Sequence, residues 1–83
     1  MRKILISIIS PCFNEEGNVT ELCRQVTTAM ESFPQYDYEL IYIDNASTDS
    51  TVPILRRLVQ ADPRTRVIVN TRNFGHIRFG LFA

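Results

Sequence analysis

Residues that commonly bind metals or staple small secreted domains are scarce in this sequence. Tryptophan is absent, histidine occurs once and cysteine occurs twice in 83 residues. The two thiols, Cys12 and Cys23, form no C-x-x-C pair, and one histidine cannot complete a zinc set with them. We therefore expect free thiols in a protein of a reducing compartment.

The sequence also lacks an excess of one charge and any long apolar run. Nine Lys and Arg residues balance nine Asp and Glu residues, which argues against a nucleic-acid partner or a polybasic membrane patch. No apolar run reaches the roughly 18 residues of a membrane span. The apolar run near the N-terminus is short, is interrupted by Pro11 and is followed by Glu15, so it does not predict a signal peptide.

Three apolar segments have the character of buried β-strands. The first runs from Ile4 to Ile9, and Pro11 is predicted to end it. The second runs from Tyr38 to Ile43 and the third from Arg66 to Asn70. Strands that are apolar on both faces are typical of parallel sheets. We predict a three-stranded parallel sheet in the order 3-2-1.

Two amphipathic helices are predicted between these strands. Apolar residues recur at three- and four-residue steps from Val19 to Phe33, where a proline follows and closes the first helix. The second helix is expected to follow a cap at Asp49 or Ser50 and to end before an Asp-Pro pair. The β-α-β-α-β order predicts an α/β, Rossmann-like fold with flanking helices.

Polar clusters follow each predicted strand. They are residues 11–16 after the first strand, 44–49 after the second and 70–73 after the third. Because ligands of open parallel sheets bind beyond the carboxyl ends of the strands, we expect these clusters to share one rim and to form a site.

The first turn does not have the glycines of a dinucleotide-binding or P-loop motif. Only Gly17 lies in it, and no G-K-[ST] occurs in the chain. The turn carries side-chain acceptors instead, which suit a nucleobase edge or ribose hydroxyls. A diphosphate would then require Arg72 or a metal ion to offset its charge.

Three motifs in these clusters resemble those of family-2 inverting glycosyltransferases. Residues 10–18 (SPCFNEEGN) look like the P-x-[YF]-N-E-E turn of that family, and residues 43–51 (IDNASTDST) are similar to its V-D-D-G-S-x-D-x-T turn. Residues 72–75 (RNFG) look like its R-N-x-G element. The order and spacing of the three motifs also match those of the family. The chain resembles most the polyprenyl-phosphate and dolichyl-phosphate sugar transferases, which keep R-N-F-G.

The resemblance implies the N-terminal half of a GT-A fold, with residues 1–83 forming a partial domain that binds the nucleotide. It implies a nucleotide-diphosphate sugar as donor and a lipid phosphate or a hydroxyl as acceptor. It also implies a Mg²⁺ or Mn²⁺ cofactor and a cytoplasmic location, at the inner face of the membrane in the full-length protein.

The resemblance carries nucleotide-binding roles to residues of the first two turns. The first turn would cradle the nucleoside and the second would meet the base, while the charge of a diphosphate suggests a cation of the third cluster as its partner. The residues so identified are Pro11, Phe13, Asn14, Glu15, Asp44, Asn45 and Arg72. For Asp44 the alternative is a carboxylate that stabilises its own turn, and for Asp49 it is a helix cap.

The sequence departs from the family pattern in two ways. Asn45 replaces the second acidic residue, and Ala46 replaces glycine. The D-x-D metal motif is absent, and no catalytic residue is identified. Besides a sugar transferase, a non-catalytic nucleotide-binding module and a non-functional truncated product therefore remain open.

Overall fold

The computed structural model describes residues 3–71, which form three strands and two helices. The elements in chain order are β1 (Ile4–Cys12), α1 (Val19–Met30), β2 (Tyr36–Asn45), α2 (Thr51–Ala61) and β3 (Thr65–Asn70). The predicted β-α-β-α-β order is confirmed. The expected element of residues 72–75 lies outside the described residues.

The strands form one parallel sheet, as predicted. Ile4 pairs with Tyr36 at the start of the β1–β2 ladder, and Leu40 pairs with Thr65 at the start of the β2–β3 ladder. The order is β1-β2-β3, with β2 in the centre, and the predicted order is 3-2-1. The two notations name the same neighbours, because each starts from the opposite edge of the sheet.

β1 continues past the residue that was predicted to end it. Pro11 and Cys12 both belong to the strand and pair in register with Ile43 and Asp44. In the described sheet β1 is an edge strand, where proline is tolerated because only one side of the strand donates hydrogen bonds to a neighbour. β2 likewise extends through Asn45, so both strands deliver their last residues to the same rim.

α1 ends earlier than its apolar periodicity predicted. The helix stops at Met30, and Ser32 and Phe33 donate their backbone N–H groups to carbonyls three residues back. Such bonds tighten the last turn, and the proline after Phe33 disfavours helical geometry at that residue. The apolar pattern therefore extends further than the helix does.

Both helices pack on one face of the sheet, as two successive crossovers of the same hand require. The buried core lies between them and β2, where Tyr42, Leu40 and Leu55 are almost fully covered. The Tyr42 hydroxyl donates to the Val19 carbonyl at 2.6 Å, which joins the centre of the sheet to the first turn of α1. This contact fixes α1 next to the end of β1.

The opposite face of the sheet has no helix on it within residues 3–71. Leu5, Ile9 and Ile68 of that face are more than half exposed. Across its middle, Glu39 accepts hydrogen bonds from Ser7 at 2.5 Å and Arg66 at 3.0 Å. Neither described helix is both long and apolar enough to cross a membrane.

Candidate functional site

The carboxyl ends of β1 and β2 lie side by side and present their turns together. Cys12 and Asp44 are register partners at the last step of the ladder. The turn after β1 (residues 13–18) therefore lies next to the turn after β2 (residues 46–50). This is the rim on which the polar clusters were expected, and it brings the first two of them into direct contact.

Asp44 lies under the second turn and is fully buried. Its Oδ2 accepts the Ser47 backbone N–H at 2.9 Å, and its Oδ1 accepts the Ser47 hydroxyl. The Cys12 thiol also donates to Oδ1, with sulfur and oxygen 3.8 Å apart. The carboxylate thus stabilises the turn that follows it, as an Asp in such a turn commonly does.

Asn45 is also buried, with 8% of its surface exposed, and it projects from the other face of the sheet. Successive side chains of a strand alternate between faces, so Asn45 points away from Asp44 and the helices. It pairs with Asn70 at the end of β3, whose Nδ2 donates to the Asn45 Oδ1 at 3.2 Å. A ligand that contacts Asn45 would therefore approach from the face without helices, where the Asp44 side chain does not reach.

Asn14, the second residue of the first turn, adopts a left-handed backbone conformation (φ 51°). Asparagine tolerates this region better than most residues do. The Asn14 Oδ1 accepts the backbone N–H groups of Thr48 at 2.8 Å and Asp49 at 3.3 Å. Asn14, predicted to bind nucleotide, therefore joins the first turn to the second.

Glu15, Phe13 and Pro11 present groups to solvent near this junction. The Glu15 carboxylate is half-buried and accepts the Asn18 amide at 2.7 Å, which leaves acceptor capacity on its oxygens. Phe13 is 45% exposed, more than an aromatic side chain usually is in a packed core, and Pro11 is exposed as well. Together with Asn14, which is exposed but bonded to the second turn, they are the accessible predicted residues at the end of β1 and in the first turn.

Asp49 holds the start of α2, in agreement with its alternative role as a cap. Its Oδ1 accepts the Thr51 backbone N–H at 2.9 Å and also the Thr51 hydroxyl, while the Ser50 side chain makes no cap bond. Desolvation opposes ionisation of Asp49, but hydrogen bonds from Thr51 and the Glu16 backbone outweigh it and lower its pKa.

A cleft of about 320 Å³ opens between α1 and the outer edge that β1 has in the described sheet, next to the first turn. Its lining combines carboxylates and amides with the apolar side of α1. The lining residues are Ser10, Pro11, Cys12, Glu15, Asn18, Val19, Glu21, Leu22 and Gln25. The cleft is continuous with the rim, so accessible residues at the end of β1 and in the first turn border an open volume.

The residues of the rim do not fit a divalent metal. Residues 3–71 contain no group of three His, Cys, Asp or Glu side chains that could hold one. Asp44 and Asp49 already accept hydrogen bonds from the chain on both of their oxygens. The Cys12 thiol is no ligand either, because burial, followed by the nearby Asp44 charge, raises its pKa to about 12. Arg72, the expected partner of a diphosphate, lies outside the described residues.

Two residues of the site were missed by the sequence reasoning. Ser47 and Thr51 receive hydrogen bonds from the backbone of the first turn, at 2.9 Å in each case. Both residues lie inside the second motif, and that position was the one sequence feature that could have indicated a role in the site. Hydroxyls are small and chemically neutral, so residue type alone did not distinguish them from ordinary turn residues.

Comparison with known proteins agrees with this arrangement of strands and turns. The sequence model of glycosyl transferase family 2 matches residues 7–78, which include both turns. The chain is 36% identical over 75 residues to the uncharacterized glycosyltransferase YkcC of Bacillus subtilis. It is 37% identical over 76 residues to the dodecaprenyl-phosphate galacturonate synthase of Rhizobium johnstonii.

Each of these alignments covers 90% of this chain but 23% and 22% of the respective relative. The chain thus spans less than a quarter of the length of the curated relatives it matches. Since the family model matches most of the chain, and the two interlocked turns fall inside the match, the chain belongs to glycosyl transferase family 2.

Proposed function

We propose that this chain is the donor-nucleotide-binding part of a glycosyltransferase that moves a sugar from a nucleotide diphosphate to a lipid phosphate or a hydroxyl. The observation that carries the proposal is the side-by-side placement of the turns after β1 and β2 at one rim of a parallel sheet. Ligands of open α/β sheets bind in that position.

The chemistry of the rim favours the nucleoside over the phosphates. The backbone N–H groups of Asn14, Glu15 and Glu16 all donate to side chains of the second turn or of Thr51, the first residue of α2. They are therefore not free to form the anion-binding nest that a P-loop backbone offers. The accessible groups are side-chain acceptors and an aromatic ring, which suit ribose hydroxyls and a base.

The accessible residues and the two buried residues at the end of β2 each have a role in this proposal. Glu15 accepts hydrogen bonds from ribose hydroxyls, and Phe13 with Pro11 forms an apolar wall beside the nucleoside. Asn45 contacts the base edge, for which an amide offers both a donor and an acceptor. Asp44 contributes from beneath by fixing the second turn.

The acceptor and the location are proposed from the relatives. One relative is named as a synthase of a dodecaprenyl-phosphate product. By analogy, a polyprenyl phosphate is the proposed acceptor, which would bring the complete enzyme to the cytoplasmic face of a membrane. The rest of the catalytic apparatus, including any metal ligands, is not assigned to the described residues.

Calorimetric titration of UDP and GDP into the purified chain tests the proposal. We expect weak binding of one of them, with a Kd on the order of 1 mM, about −4 kcal/mol. Asn45→Ala and Asp44→Ala should abolish the heat of binding. Glu31→Gln, at the exposed far end of α1, is the matched control and should bind as the wild type does.

Circular dichroism should first establish that each variant keeps its α/β signal. Absence of binding to the folded wild type, or equal affinity in the wild type and the Asn45→Ala variant, would contradict the proposed site. Binding without any transfer by the complete protein would favour the non-catalytic module instead.

A further inference from the structure

Two hydrogen-bond relays run from the first turn into the second. In one, the Asn14 backbone N–H donates to the Ser47 hydroxyl at 2.9 Å, and that hydroxyl donates to Asp44. In the other, the Glu15 backbone N–H donates to the Thr51 hydroxyl at 2.9 Å, and that hydroxyl donates to Asp49. Each relay has the same order of groups: amide, hydroxyl, carboxylate.

The order of groups strengthens each relay. A hydroxyl that donates to a carboxylate becomes a better acceptor, since hydrogen bonds in a chain polarise one another. Thr51 is fully buried and Ser47 is half-buried, so solvent competes little for the Thr51 hydroxyl. Neither hydroxyl can be replaced by a carbon without leaving an amide of the first turn unpaired.

The relays act on the residues that face the ligand in the proposed function. Glu15 is itself the donor of the second relay, and Phe13 immediately precedes the donor of the first. The positions of both side chains therefore depend on hydroxyls that lie 33 and 36 residues beyond the two donor amides in the sequence. The hydroxyls themselves are turned inward and are occupied by these bonds.

We propose that Ser47 and Thr51 are positioning residues of the nucleotide site: their hydroxyls hold the first turn in the conformation that binds the nucleoside. This inference rests on the proposed nucleotide-binding function. In this role the serine and the threonine of the second motif bind the backbone of the first turn. They do not contact the ligand themselves.

Amide hydrogen exchange combined with nucleotide titration tests the inference. Ser47→Ala should speed exchange of the Asn14 amide, and Thr51→Val, which keeps the buried shape, should speed exchange of the Glu15 amide. Each variant should weaken UDP or GDP binding by on the order of tenfold, about the loss of one net hydrogen bond. Ser47→Thr and Thr51→Ser keep a hydroxyl and should restore both properties.

Ser50→Ala is the matched control, because it deletes a hydroxyl from the same turn whose side chain makes no cap bond. It should change neither the exchange of the two amides nor the affinity. If Thr51→Val fails to fold, Ser47→Ala, which alters only a half-buried turn residue, decides the question together with its threonine rescue.

The outcomes separate this inference from the function on which it rests. A folded wild type that binds neither nucleotide would overturn the proposed function and the positioning role with it. A wild type that binds, with Ser47→Ala and Thr51→Val binding equally well, would overturn the positioning role alone. Faster amide exchange without loss of affinity would assign the hydroxyls to stability only.

Discussion

The Cys12 thiol donates to the buried carboxylate of Asp44 across the last step of the β1–β2 ladder, with sulfur and oxygen 3.8 Å apart. Burial, followed by the charge of Asp44, raises the pKa of the thiol to about 12, so the thiol stays protonated and remains a donor at neutral pH. Asp44 is therefore surrounded by neutral donors from Cys12 and Ser47. The contact joins the ends of the two strands that form the proposed site.

Ala46 should be replaceable by glycine with a gain in stability. Its φ of 58° lies in the left-handed region, where a Cβ is unfavourable and glycine is not. Ala46→Gly should raise the free energy of unfolding by roughly 0.5–1 kcal/mol, measured by urea denaturation. The same change at Ala29, exposed in the last turn of α1, should lower it. A loss of stability in Ala46→Gly would contradict the strained turn.

Asp49 should make the fold sensitive to acid. Desolvation opposes its ionisation, but hydrogen bonds from Thr51 and the Glu16 backbone outweigh that and lower its folded pKa below the usual 3.8. A carboxyl group whose pKa is lower in the folded than in the unfolded state stabilises the fold at pH values above its unfolded pKa. This stabilisation is lost as the pH falls through the folded pKa. Wild type should therefore exceed Asp49→Asn in stability at neutral pH, and the gap should narrow below about pH 4.

Urea titrations of both proteins between neutral pH and strong acid would measure that gap. A difference in unfolding free energy that stays constant through the acidic range would show that the Asp49 charge does not support the turn. Asp62→Asn, at the other end of α2, makes the same chemical change without touching the interlocked turns and serves as the control.

Much of the fold could be predicted from the sequence, because the apolar residues that are buried recur with the period of the strand or helix that carries them. The strands and helices were predicted in order, and the two turns were expected on one rim. The strand end at Pro11 was predicted wrongly, because proline was taken to end the strand although the predicted strand order placed β1 at an edge, where proline is tolerated. The end of α1 depended on local turn geometry that an apolar stripe does not encode.

The site was predicted less completely than the fold. The family resemblance led us to expect Asn14, Glu15 and Asp44 in the site, but it did not indicate that Asp44 and Asn45 lie on opposite sheet faces with different surroundings. The bond between the Glu15 amide and the Thr51 hydroxyl spans 36 residues, and its formation depends on the register of β1 with β2. Such long-range pairing of neutral groups has no signature in composition or periodicity.

The 83 residues alone should associate or melt easily. In the described sheet β1 is an edge strand of nine residues, and Ile4, Leu5 and Ile9 are each more than half exposed. A long apolar edge is a template for pairing with another chain. Ile9→Lys should reduce association in sedimentation velocity, whereas Gln60→Lys, which adds a charge on exposed α2, should not. A monomer that unfolds cooperatively above about 65 °C would contradict this expectation.

The 83 residues alone should also fail to transfer sugar. Diphosphate leaving groups need their charge neutralised, and the sequence has no D-x-D motif to hold a metal for that purpose. Asp44 and Asp49 are committed to hydrogen bonds within the turns, so neither is placed to act as a base. A radiolabelled nucleotide-sugar assay with polyprenyl phosphate and Mg²⁺ or Mn²⁺ measures this. Transfer above a no-protein control would contradict the prediction.

The most direct test of the central claim, that the rim formed by the first two turns binds the donor nucleotide, is an NMR titration of the ¹⁵N-labelled chain with UDP and GDP. The claim predicts amide shifts concentrated in residues 13–18 and 45–51, with little change at the opposite rim, around residues 31–36 and 62–65. Shifts at that opposite rim, or no shifts with either nucleotide at concentrations of about 10 mM, well above the expected Kd, would contradict it.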